Sequence, residues 1–139
     1  MIVACPHCHA GNRLDATRLG DAPNCGACHA PLLNAPLTGT ADNLPELLRH
    51  SQVPVVVDFW ATWCGPCQSF APAFAAAAEA FVGKALFVKV DTDAEQALAA
   101  QYKVRSIPTI AVFDGGNELE RLAGALPSGQ FKAWLMQFV

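Results

Sequence analysis

The sequence predicts an α/β protein of the three-layer kind, with a mixed central sheet between helices and a small four-cysteine metal ribbon ahead of it. Two observations predict this. From residue 40 onward, short apolar runs rich in β-branched residues alternate with segments of helical period, and the chain closes with a hairpin and a helix. Before that point, residues 1–35 hold four of the six cysteines and three of the four histidines, with few large apolar residues.

That first segment offers only Ile2, Val3, Leu14, Leu19, Leu32 and Leu33 to a core, too little to fold unaided, so it needs a disulfide or a metal. "NAPLTGTA", with Pro36 and Gly39, reads as the linker and the start of the next domain, which divides the chain into residues 1–35 and 36–139. "ADNLPELLRHSQ" spaces Leu44, Leu47 and Leu48 as a helix does, with Asp42 as its expected cap. "VPVVVDFWA" has the continuous apolar character of a strand buried on both faces. "PCQSFAPAFAAAAEAFVG" follows as a long Ala-rich helix that Pro72 is expected to kink. "ALFVKVDT" is a second buried strand and "DAEQALAAQYKV" a further helix. "TIAVFDGGNELERLAG" holds two strands about the turn "DGGN", and "PSGQFKAWLMQFV" closes as an amphipathic helix with Ser128 as its expected cap.

All six cysteines belong to a Cys-x-x-Cys pair, and such a pair can bind metal, cycle as a redox dithiol or, followed by His, attach a c-type haem. Cys5, Cys8, Cys25 and Cys28 form C-x2-C-x16-C-x2-C. Each pair aims two sulfurs of one tight turn at a single ion, and the second pair completes a tetrahedron. Four thiolates suit one structural zinc ion and leave no open coordination place. Haem is the poorer reading although "CPHCH" and "CGACH" both match its motif, since about 35 residues with almost no apolar lining cannot house two haems. With the shell filled by sulfur, His7, His9 and His29 read as exposed residues of the turns.

The third pair, Cys64 and Cys67 in "VVVDFWATWCGPCQSFAP", sits where a strand turns into a helix. The N–H groups and partial positive charge of a helix start stabilise a thiolate at Cys64, the attacking species in disulfide exchange. Cys67, deeper in the helix, suits the resolving role, while Gly65 leaves room for a substrate chain and Pro66 stiffens the loop. Two cysteines are only half a metal site. Asp58 interrupts an apolar strand. A buried carboxylate is costly without a task or a partner, and burial raises its pKa toward neutrality, although hydrogen bonding to a neighbouring turn is the alternative role.

"WCGPC" preceded by "VVVDFWA" and followed by Pro72, "SIPT" and "GAL" resembles the thioredoxin family over roughly residues 38–139. With the ribbon in front, the whole chain resembles the second, zinc-containing bacterial type. The resemblance implies a thioredoxin fold, Cys64 as nucleophile, Cys67 as resolving thiol, Asp58 as proton acceptor through water, and Trp60 and Trp63 as the flanking tryptophans. It further implies a cis Pro108, with the Ile107 backbone pairing with an extended substrate and Gly124 lining the same groove. A Lys that thioredoxins commonly carry near the buried aspartate is expected at the place held here by Phe87, with Lys89 two residues on.

The expected activity is reduction of protein disulfides, with regeneration by an NADPH-dependent thioredoxin reductase. Flavin and nicotinamide would then belong to that partner, and zinc is the one cofactor expected on this chain. The rival class is a redox-sensing zinc-ribbon interaction protein that uses the fold as a docking platform. A net charge of −3 with scattered Lys and Arg gives no nucleic-acid surface. The start "MIVACPHCHA" lacks a secretory pattern, and "FAPAFAAAAEAFV" is too short to span a bilayer. The expectation is a cytoplasmic monomer without membrane contact, in a compartment where lasting structural disulfides are rare.

Overall fold

The computed structural model describes residues 2–5, 7–8, 10–15, 21, 23–33 and 35–139, apart from the side chain of Ala4. Leu19 and His9 lie outside the described residues. A hairpin of β1 (Ile2–Ala4) and β2 (Gly11–Arg13) opens the ribbon, paired antiparallel with Ile2 opposite Arg13. Then follow β3 (Leu37–Thr38), α1 (Leu44–His50), β4 (Val55–Trp60), α2 (Gly65–Ala80), β5 (Leu86–Asp91), α3 (Gln96–Gln101), β6 (Thr109–Asp114), β7 (Asn117–Ala123) and α4 (Ser128–Leu135).

The five-stranded sheet has the order β3-β5-β4-β6-β7. β3, β5 and β4 run parallel, while β6 and β7 are antiparallel to their neighbours, so the sheet is mixed as expected. Part of the expected linker is in fact the edge strand β3. A two-residue strand carries no period of its own, and only pairing with Val88 and Lys89 makes it one. Both expected caps are also displaced. Asn43, not Asp42, caps α1, and its Oδ1 accepts from the Thr40 N–H at 2.7 Å. Pro127 precedes α4, and Ser128 is already helical.

Alternation along the strands builds two cores. Val55, Val57 and Phe59 of β4 join Val88 and Val90 of β5 and the α1 residues Leu44, Leu47 and Leu48 on one side. Val56 and Phe87 join Phe70 and Phe74 of α2 and Phe131 of α4 on the other. There Phe131 meets Phe70 edge-on at 4.9 Å and Phe74 meets Phe87 at 5.4 Å. Val3, Cys5, Cys25, Leu32 and Leu33 of the ribbon lie in the first core, so the ribbon packs on the sheet rather than hanging from it. Among the described residues no helix is long and apolar enough to cross a membrane.

Candidate functional site

β4 delivers the chain to the site. Odd-numbered residues of this strand face α1, so Asp58 shares the face of Val56, toward α2. After Trp60 the chain turns, with the Cys64 N–H bonded to the Ala61 carbonyl at 3.2 Å, and α2 begins at Gly65 with Cys64 as its cap. Pro66 stands in the first turn, where its missing N–H leaves nothing unpaired. Pro72 lies inside α2 at an exposed position, and without its N–H the carbonyl of Gln68 loses its helical donor.

Cys64 and Cys67 are joined as a disulfide, with Cα atoms 5.2 Å apart. The Cys67 N–H points at the Cys64 Sγ from 3.1 Å, a backbone donor that favours negative charge on that sulfur once the pair is reduced. Both sulfurs are buried with Ala61, against Trp60 and Ile107. The Ile107 carbonyl oxygen is 3.7 Å from the Cys64 Sγ, and the Ile107–Pro108 peptide is cis. Gly124 (φ 105°) donates its N–H to the Pro108 carbonyl at 2.8 Å, which holds the end of β7 beside Pro108. Trp63 is 71% exposed, and its indole Nε1–H is bonded to the Asp93 carboxylate at 2.8 Å. Gly65 is exposed, and a Cβ there would meet nothing within 4 Å.

Asp58 is 0% exposed, and among the described residues neither carboxylate oxygen has a hydrogen-bond partner. Burial pushes its pKa from 3.8 up to about 7, against the pull of the Lys89 charge. The place expected for the family's lysine near Asp58 is not that of Phe87 but that of Lys89. Phe87 is registered with Val56, and Lys89 with Asp58. The Lys89 ammonium sits 4.5 Å above the Trp60 ring, so it acts on Asp58 through its charge and not through a hydrogen bond.

The ribbon cysteines form a second site. The four Sγ atoms lie within 4.8 Å of one another, with Cys5 3.7 Å from Cys28 and Cys8 3.6 Å from Cys25. Four sulfurs about 2.3 Å from a central zinc ion, at tetrahedral corners, stand roughly 3.8 Å apart, close to the two separations of 3.7 and 3.6 Å found here. The N–H groups of His7 and Cys8 point at the Cys5 Sγ, and those of Ala27 and Cys28 at the Cys25 Sγ, all at 3.3–3.5 Å. These donors spread thiolate charge, as a tetrathiolate cage needs. His7 and His29 are exposed.

Two supporting residues escaped the sequence reading. Asn12 ties the knuckles together, accepting from the Gly26 N–H at 2.9 Å while its amide reaches the Cys25 Sγ at 3.4 Å. Asp93 steadies Trp63 across 30 residues of chain. No local motif marks either one.

Known proteins share both parts. Residues 35–137 match the thioredoxin family model, and residues 4–30 match the model described as thioredoxin 2, N-terminal, a zinc ribbon. The chain is 40% identical to thioredoxin C-3 of Corynebacterium nephridii over 140 residues, covering 99% of this chain and 94% of that one. It is 49% identical to thioredoxin 1 of Nostoc sp. over 88 residues, covering 63% of this chain and 82% of the relative. A solved thioredoxin point mutant from Halobacterium salinarum is 32% identical and superposes with a TM-score of 0.70, covering 76% of this chain and 92% of that one.

Proposed function

The chain belongs to the thioredoxin family and is a thiol–disulfide oxidoreductase that reduces protein disulfides, and from this we propose how its residues divide the work. Cys64 attacks, Cys67 resolves and Asp58 takes the proton from Cys67. The observation that carries the reading is Cys64 capping α2, with the Cys67 N–H aimed at its sulfur and a partnerless buried carboxylate on the facing strand.

The Cys64 thiolate attacks one sulfur of a client disulfide. The client S–S bond breaks, a Cys64–client mixed disulfide forms, and the other client sulfur leaves as a thiolate that takes up a proton. Cys67 loses its proton toward Asp58 and attacks the Cys64 Sγ, which releases the second client thiol. Two electrons have then passed to the client, and the protein is left with the Cys64–Cys67 disulfide. A pKa of about 7 suits Asp58 to accept a proton at neutral pH and to give it back. Trp63, Gly65, Pro66, Ile107, Pro108 and Gly124 form the groove along which an extended client segment lies.

Family membership implies reductase and disulfide-bearing partners in general. The finer reading is an NADPH-dependent reductase, with the chain acting as a cytoplasmic monomer in electron transport. Cys5, Cys8, Cys25 and Cys28 hold one structural zinc ion, which organises the ribbon of residues 1–35 ahead of the reductase domain of residues 36–139. The fit of the cage to the ion supports this. When bound, the ion neutralises thiolate charge and stabilises the fold.

Trapping with a model protein disulfide tests the division of labour. Cys67→Ser should accumulate a mixed disulfide with the client, whereas Cys64→Ser should form none and reduce nothing. Turnover persisting in Cys64→Ser would overturn the assignment.

A further inference from the structure

Beside the dithiol lies a hollow of about 200 Å³ lined by Trp63, Thr92, Ala99, Val104, Arg105 and Ile107. Arg105 is the one charged residue of its wall among the described residues. It is exposed, and among the described residues it makes no ion pair and no side-chain hydrogen bond. The acidic groups of the surrounding loops are engaged elsewhere. Asp93 holds the Trp63 indole, Asp91 accepts from the Asp93 and Ala94 N–H groups, Glu95 accepts from the Ala41 N–H, and Glu118 is paired with Arg121. The lining of the hollow therefore carries one cation that, among the described residues, no carboxylate pairs.

Its distance from the reacting sulfur follows from the chain. The Ile107 carbonyl lies 3.7 Å from the Cys64 Sγ, so a client cysteine engaged by Cys64 passes alongside Ile107. β6 begins its pairing only at Thr109, which leaves Ile107 beyond the sheet's own ladder and available to an extended segment. Two extended strands advance in step, at about 3.3 Å per residue. The chain bends at residues 106–108, yet Arg105 and Ile107 line the same hollow, which puts the long Arg105 side chain within reach of a client residue two positions, or about 7 Å, from the attacked cysteine.

We propose that Arg105 is a specificity-determining residue that selects client disulfides carrying an aspartate or glutamate two residues from the attacked cysteine. The inference rests on the reductase reading and adds a substrate class to it. A guanidinium meeting a carboxylate at a partly exposed rim is worth about a three- to tenfold preference.

The test uses disulfide-bearing peptides that differ only by Glu, Gln or Lys placed two residues before or two residues after the attacked cysteine. Rates with the full-length protein are divided by rates with a small dithiol, which removes the effect of the charge on the peptide's own reactivity. The wild type should favour Glu over Gln three- to tenfold on one flank, less so at high salt. Arg105→Gln should bring that ratio close to one, and Arg105→Glu should turn the preference toward Lys. Lys103→Gln, which removes a nearby cation outside the hollow, should keep the preference. A Glu-to-Gln ratio near one on both flanks in the wild type would overturn the proposal, as would a ratio unchanged in Arg105→Gln or lost equally in Lys103→Gln. Failure of the reductase reading looks different, because the Gln peptide itself would then be reduced no faster by the wild type than by Cys64→Ser.

Discussion

At Asp58 burial and chemistry pull against each other, because the desolvation that holds its carboxyl at about 7 also makes the ionised form costly to the fold. A carboxyl that binds its proton more tightly in the native state than in the unfolded one loses stability as pH rises between 3.8 and about 7, and the loss is complete above that range. The full cost is on the order of 4 kcal/mol. Asp58→Asn should therefore raise urea-measured stability at pH 8 by about 1–3 kcal/mol and change it little below pH 4. The same variant should reduce protein disulfides roughly ten- to a hundredfold more slowly at pH 7, because on the proposed division of labour Cys67 then lacks its proton acceptor. Lys89→Met removes the one charge that draws Asp58 down, so the rise of the pH–rate profile should move to higher pH. An unmoved profile would mean that the ammonium over Trp60 does not act on Asp58. The need for a special carboxylate at residue 58 was legible in the sequence, as a charge inside an apolar run. That Lys89 stands opposite it was not, because register across a parallel pair is set by the whole sheet.

Each element carries a support that its own sequence does not announce. Gly39 follows β3 so closely against β5 that a Cβ would stand 2.6 Å from Val88 Cγ1 and 2.9 Å from Val90 Cγ2. Gly39→Ala must push the edge strand away from buried valines, and a loss of about 1–3 kcal/mol is expected in urea unfolding. Behind α3, Arg121 of β7 donates to the carbonyls of Tyr102 and Lys103 at 2.6 and 3.2 Å and is held in place by Glu118 at 2.8 Å. The long elements were legible because they repeat. α2 shows an unbroken Ala-rich stretch, β4 a β-branched run, and β6 and β7 an Asp-Gly-Gly-Asn turn. Caps and the edge strand were not, since Asn43 rather than Asp42 and Pro127 rather than Ser128 are selected by where the chain enters each helix.

Over the whole molecule, the ribbon and the reductase domain share one core. Val3, Leu32 and Leu33 are buried with Leu44, Leu47 and Val88, and Cys5 and Cys25 of the four-cysteine cluster are buried with them. Stripping the metal at neutral pH should lower the thermal midpoint of the whole chain by several degrees, because free thiols do not hold the knuckles that carry these side chains. Scanning calorimetry with and without a chelator checks this. A catalytic-domain transition that did not move would show the shared core to be of little energetic weight. The scarcity of apolar residues in 1–35 signalled the need for a disulfide or a metal, while the docking of the ribbon on α1 and the β3–β5 edge had no signal in a segment of so few large side chains.

The sequence by itself determined the chemistry of this protein. Spacing of two between cysteines, repeated, defines a cage, and the same spacing at a strand-to-helix turn defines a redox dithiol. Both are local patterns, within reach of one or two turns of backbone. The tertiary structure alone decided which groups face one another: Lys89 opposite Asp58, Asp93 holding Trp63, Asn12 bridging two knuckles, Arg105 beside Trp63 and Ile107 in the wall of one hollow. Those meetings bring distant parts of the chain together, and only the packing of strands and helices around common cores fixes them.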